Sequence, residues 1–197
     1  APADNSEYPA TLRSAQIAPF GRNFGYSRNV RCNTFWGKIY MNRYELKRYR
    51  DDDLEFLFNL LKSSMIEYYK TTFGYWNDEE ELRYLKESLS KSKYEIIYVE
   101  NLQIGCLALQ ESQNSIFLEE IQLLPSMQNK GLGSKIIKDL IERAIVENKE
   151  IHLEVLKSNT RAFKLYKRYG FSKIGENETH FKLTYTIAPK GTTSNSE

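Results

Sequence analysis

A glycine-punctuated turn, Gln128-Asn129-Lys130-Gly131-Leu132-Gly133-Ser134, joins an apolar segment to an amphipathic one and limits the possible folds more than any other stretch. Upstream, residues 116–125 (IFLEEIQLLP) are apolar, β-branched and closed by proline, which predicts a strand. Downstream, Leu132, Ile136, Ile137, Leu140, Ile141, Ala144 and Ile145 recur at helical spacing and predict one buried stripe. Glycines at the turn let successive backbone N–H groups converge on one anion, and the helix adds the positive end of its dipole there. The expectation is a pyrophosphate cradle. A P-loop needs lysine after its last glycine, whereas Ser134 follows Gly133. A dinucleotide fingerprint needs a third glycine where Ile136 stands, and no βαβ unit opens the chain.

A glycine turn alone is weak evidence; a second segment supports it. Residues 151–156 (IHLEVL) alternate as a strand. Asn159 then suits a helix N-cap, Ala162, Phe163, Leu165, Tyr166 and Tyr169 supply an apolar helical set, Gly170 suits the stop, and Phe171 begins another extended stretch. The pattern Leu-x-Val-x-x-x-Asn-x-x-Ala-x-x-Leu-Tyr-x-x-x-Gly-Phe, following Gln-x-x-Gly-x-Gly, closely resembles the GNAT superfamily, the acetyl-CoA-dependent N-acetyltransferases. The resemblance implies an α/β (α+β) fold with a central mixed, mostly antiparallel sheet and helices on both faces. It also implies acetyl-CoA as cosubstrate.

The remaining segments agree. Residues 44–50 alternate as a first strand, and Asp51-Asp52-Asp53 precede a helical stripe of Leu54, Leu57, Phe58, Leu61, Met65 and Tyr68. A polar, aromatic loop over 71–78 leads to a second helix ending near Leu89, and 94–99 with 103–109 form a hairpin around 100–102. The order β-α-α-β-β-β-α-β-α-β-β is that implied by the resemblance, which covers about residues 43–187. Residues 1–40 are expected to be an irregular N-terminal extension ahead of a natural-looking start at Met41, either an appendage or an ordinary flexible N-terminus. The domain is expected over 41–187, with a polar C-terminal tail at 188–197.

A net charge of +2, with basic residues spread along helices, gives no argument for nucleic acid. The apolar runs are strand-length, so no membrane-spanning segment is expected. Cys32 and Cys106 make no disulfide framework, and Cys106 is expected as a small buried hydrophobe. Two histidines and no ligand-spaced pairs predict no metal site. A cytoplasmic location fits these facts.

Acetyl transfer to an amine sets its own demands. An alkylammonium, with a pKa of about 10, has no lone pair until a base removes its proton. On the resemblance to polyamine-type members, Glu119 is the expected base. Glu120, on the opposite side of an ideal strand, is the expected contact for a cationic acceptor, and a bulge would exchange the two. Tyr166, at the Leu-Tyr position of the second motif, is the expected general acid toward the coenzyme A sulfur. The N–H of Leu123 is the expected oxyanion and pantetheine contact. Residues Gln128, Asn129, Lys130, Gly131, Leu132, Gly133 and Ser134 are expected to hold the pyrophosphate, Asn159 to bond the pantetheine or cap its helix, and Ala162 to keep the helix surface low. Tyr75 and Trp76, with the acidic run 78–81, fall where the superfamily builds its acceptor wall, although the carboxylates alone suit a helix N-terminus. His180 is a further candidate for the acceptor site, its alternative role being structural.

Three functions follow. One is a bacterial-type N-acetyltransferase acting on a small-molecule primary amine, such as a polyamine, aminoglycoside or amino-acid derivative. The others are a protein or peptide N-terminal acetyltransferase and a non-catalytic acetyl-CoA-binding module. A homodimer is expected, since many GNAT domains pair through late strands.

Overall fold

The computed structural model describes residues 43–187. The extension at 1–40, Met41, Cys32 and the tail at 188–197 therefore lie outside the described residues. The elements are β1 (Glu45–Arg48), α1 (Leu54–Phe73), α2 (Asp78–Lys91), β2 (Lys93–Val99), β3 (Leu102–Glu111), β4 (Ser115–Leu123), α3 (Leu132–Glu147), β5 (Glu150–Leu156), α4 (Thr160–Arg168), β6 (Ser172–Glu176) and β7 (His180–Tyr185), in the expected order. They build one seven-stranded sheet, β1-β2-β3-β4-β5-β7-β6, in which only β4 and β5 run parallel.

Local chemistry sets the boundaries. The acidic 3-10 turn Asp51–Asp53 sits at the positive end of α1. Helix α1 continues past the predicted loop start at 71, because Gly74, at φ 83°, supplies the left-handed stop and its N–H closes on the Lys70 carbonyl at 3.0 Å. Asn77 caps α2 by accepting from the N–H groups of Glu79 (2.9 Å) and Glu80 (3.2 Å). Glu100 and Asn101, at φ 50° and 64°, form the two-residue turn between β2 and β3.

Strand alternation sends side chains into two cores. Tyr94, Ile96, Cys106 and Ala108 pack under α1 and α2, while Ile97, Val99, Leu107 and Leu109 pack with α3 on the other face. The stripes shift slightly from expectation. On α1 the fully buried set is Phe56, Leu57, Leu60 and Leu61, with Leu54, Phe58 and Met65 only partly covered. On α3, Ile141 is partly buried and Ile145 is 46% exposed, because each further residue turns about 100° away from the Ala144 face. Gly105 is required by sheet contact, since a Cβ there would lie 2.3 Å from the Gln122 carbonyl oxygen.

One irregularity positions the site. Ala108 pairs with Glu120 and Leu109 with Leu118, leaving Glu119 as the extra residue of a bulge in β4. A bulge bends the strand and re-aims the side chains beyond it.

Candidate active site

Strands β4 and β5 pair only from Ser115–Leu118 to Glu150–Leu153. Past the bulge they diverge, and the wedge between them opens into a groove of about 520 Å³. Leu123 lies in this wedge. N–H directions alternate along an extended chain, and Leu124 donates to Ile104 of β3 at 2.9 Å, so the Leu123 N–H faces the side that β5 has vacated.

The groove floor at one end is the glycine turn. Gly131 caps α3 at φ 89°, a conformation favoured only by glycine, and Asn129 also has positive φ. The first N–H groups of α3, at Leu132, Gly133 and Ser134, have no preceding helical carbonyl to bond. The first ladder bond of the turn joins the Lys135 N–H to the Gly131 carbonyl at 3.0 Å. The Leu132 side chain is buried in the core, so only its backbone faces the groove, whereas Gly133 and Ser134 line it directly. Lys130 is exposed and does not line the groove. Gln128 spans it, donating from Nε2 to the Leu123 carbonyl (2.9 Å) and accepting from Arg161 at Oε1 (2.7 Å). The Asn159 side-chain Oδ1 caps α4 by accepting from the Ala162 N–H at 3.1 Å, and both residues line the same wall.

A second pocket, of about 310 Å³, opens between β4 and the pair α1 and α2. Gln122 borders both cavities and is buried. Its Nε2 donates to Glu120 at 2.7 Å, while its Oε1 accepts from Ser64 at 3.3 Å. Glu120 keeps some surface toward the pocket, and protein atoms surround its carboxyl. Burial pushes its pKa up to about 7, Glu119 adds to the rise, and the Gln122 hydrogen bond opposes it. Tyr166 lines the first groove rather than this pocket and is buried, with its ring 5.5 Å from Phe171. Burial and then the Glu120 charge hold its phenol well above the usual range, so it carries its proton at neutral pH.

Glu119 sits differently. Its carboxylate accepts from Ser88 (2.5 Å), from Ser92 and from Gln110 (3.0 Å), which fasten the end of α2 to the bulge. Glu119 thus borders the pocket with three donors already on it, while Glu120 has one.

The proposed acceptor loop is largely elsewhere. Tyr75 is 58% exposed and lines neither cavity. Trp76 donates to Asp78 at 2.5 Å and backs Tyr69, ring centroids 5.3 Å apart, so it supports the pocket without facing it. His180 lies on β7, its Nδ1 within 2.7 Å of the Thr179 hydroxyl, and lines neither cavity. Burial lowers its pKa. Cys106 is buried and burial pushes its thiol up, so it is inert as a nucleophile. Among the described residues no group of three or more His, Cys, Asp or Glu could hold a metal, and no helix is long and apolar enough to cross a membrane.

Sequence reasoning missed Tyr69, Tyr94, Gln122, Arg161 and Arg168, all of which line the cavities. Arg161 was within reach, since it sits inside the second motif two residues after Asn159; the tyrosines carry no motif and are brought in only by tertiary packing.

The model of the acetyltransferase (GNAT) family matches residues 55–171. Thialysine N-epsilon-acetyltransferase of Bos taurus is 40% identical over 65 residues, 32% of this chain and 38% of that protein. Spermine/spermidine N(1)-acetyltransferase of Bacillus subtilis (strain 168) is 35% identical over 63 residues, 31% of this chain and 41% of that protein. The matched segments span about two fifths of those relatives. The crystal structure of the PaiA N-acetyltransferase from Thermoplasma acidophilum in complex with coenzyme A superposes with a TM-score of 0.59 at 18% identity, covering 74% of this chain and 99% of that one.

Proposed function

This chain belongs to the acetyltransferase (GNAT) family, and from that premise we propose that it transfers an acetyl group from acetyl-CoA to a primary amine of a small molecule, by direct attack in a ternary complex. The observation that carries the proposal is Glu120, a pocket carboxylate raised to about 7 that is hydrogen-bonded to Gln122, the residue bordering both cavities, and close enough to raise the Tyr166 phenol by its charge. The named relatives act on thialysine, spermine and spermidine, all amines, in keeping with this acceptor class.

The residues present fit the cosubstrate: unbonded N–H groups at Gly133 and Ser134 suit a pyrophosphate, and the Leu123 N–H and Ala162 suit a pantetheine arm in the wedge. Acetyl-CoA, when bound, supplies an acyl carbon activated as a thioester and a thiolate leaving group that takes up a proton. Glu120 takes the proton from the acceptor ammonium, for which a carboxylate near 7 is matched to neutral pH. The Leu123 N–H donates to the carbonyl oxygen as charge develops on it. Tyr166 gives its phenolic proton to the departing sulfur and regains one from the nitrogen, which sheds its second proton as the amide forms. Glu119 fixes the end of α2, and through it the pocket wall.

The cradle makes its own prediction. A Cβ on Gly133 would stand 3.7 Å from Leu123 Cδ1, an ordinary contact, so Gly133→Ala should leave thermal unfolding nearly unchanged. It should weaken coenzyme A binding about tenfold by calorimetry, because a methyl group then stands between the anion and the N–H groups. Equal affinity in the variant would place the pyrophosphate elsewhere.

The function itself is tested by acetyl-CoA-dependent free-thiol release across primary amines and N-terminal peptides, with both substrates varied. Release on small amines with intersecting initial-velocity lines is expected. Release on peptides alone, or parallel lines, contradicts the proposal. The proposal also takes 41–187 as the catalytic domain, a cytoplasmic site of action and a homodimer; monomer mass alone by light scattering contradicts the last.

A further inference from the structure

The amine pocket holds a carboxylate that the scheme above does not use. Glu81 stands in the first turn of α2 and is only 8% exposed, whereas Glu79 two residues earlier is exposed. Glu81, Leu85 and Ser88 share one helix face. Leu85 is in the core and Ser88 bonds Glu119, so Glu81 belongs to the inward face, about 10 Å along the axis from Ser88.

What singles out Glu81 is its lack of a partner. Asp78, on the same turn, is held by Lys62 at 2.8 Å and by Trp76. Among the described residues the Glu81 carboxylate has neither hydrogen bond nor ion pair, and it borders the 310 Å³ pocket. A carboxylate taken from water without a partner is costly, and burial followed by Glu80 raises its pKa. The Tyr69 phenol is raised by burial and then by the charges of Glu120 and Glu81, so both carboxylates lie near it. Leu57, Leu61 and Leu85 give the same pocket an apolar wall, and among the described residues Lys91 is the one cation lining it.

We propose that Glu81 is the specificity-determining residue of the acceptor pocket, binding the second ammonium of an aliphatic diamine whose first amine is presented to Glu120. The inference rests on the amine-acetylation reading. Carboxylates face the two ends of the diamine, and the leucine wall takes the methylenes between them. A monoamine leaves Glu81 unpaired and forgoes the charge-assisted hydrogen bond.

The test compares 1,5-diaminopentane with pentylamine in the full chain and in the Glu81→Gln variant, reading kcat/KM for each by thiol release. The unchanged protein should prefer the diamine by about tenfold or more, the scale of one charge-assisted contact. Glu81→Gln should bring the ratio to within about twofold of unity, mainly through the KM of the diamine. Glu79→Gln, at an exposed neighbour on the same helix, should keep the preference and so exclude a general charge effect of the helix start. Acetylation of both amines without preference, or a preference that survives Glu81→Gln, overturns the diamine proposal and leaves amine acetylation standing. Coenzyme A binding with neither amine acetylated overturns the amine reading itself, and the diamine proposal with it.

Discussion

Glu120→Gln is expected to lower kcat by about 10²–10⁴-fold, the usual contribution of a positioned base, while coenzyme A affinity changes little. The amide keeps the shape of the carboxyl and a hydrogen bond to Gln122, and Glu120 does not line the coenzyme groove. Steady-state kinetics with calorimetry separates the two effects. The same variant carries a second signature in stability. A glutamate has an ordinary value of 4.5, and in the fold Glu120 is pushed up to about 7. The folded state therefore holds a proton that the unfolded chain has lost between those values. The favourable contribution is fully present below about pH 4.5 and is lost as pH rises through 7. Glutamine has no such loss, so the variant should be more stable than the parent at pH 8, on the order of 2 kcal/mol, with the gap closing near pH 4.5. Chemical unfolding at the two pH values checks this. A catalytic loss together with a stability gain is the mark of a charge kept in a costly place for function.

Tyr166→Phe is the second large effect. The ring packs against Phe171 and the hydroxyl has no hydrogen-bond partner among the described residues, so phenylalanine should fold with little change in stability. Removing this proton donor should cost about 10–10²-fold in kcat, toward the lower end of acid catalysis, because thiolate is a tolerable leaving group. The loss should shrink with an acetyl thioester whose thiol is more acidic, since that leaving group needs the proton less. A uniform loss across thioesters would make Tyr166 a packing residue instead.

The architecture was legible because each element states its own period. The apolar run at 151–156, the helical set after Gly131 and the turn at Glu100-Asn101 follow local rules, and local rules were enough for the element order. Boundaries moved where a capping glycine outweighed composition, as at Gly74. The carboxylate pair was not legible. Which of Glu119 and Glu120 is tied up by α2 and which keeps its carboxylate for the pocket depends on a one-residue bulge opposite Ala108 and Leu109, and a strand period of two cannot register it. Glu81 was hidden for a related reason: within Asp78-Glu79-Glu80-Glu81 all four residues suit a helix start, and only packing against the sheet shows that the last one points inward. Tyr75 was misleading because aromatic content near a site does not fix direction, and the loop turns it to solvent.

The central claim is that ionised Glu120, bonded to the Gln122 that borders both cavities, is the base. The most direct measurement is the pH dependence of amine kcat/KM at saturating acetyl-CoA, for the parent, Glu120→Gln and Glu119→Gln. The account predicts an acid limb near pH 7 in the parent, falling about tenfold per unit below it, present also in Glu119→Gln and absent in Glu120→Gln. A limb that survives in Glu120→Gln and vanishes in Glu119→Gln would contradict the account and return the role of base to Glu119.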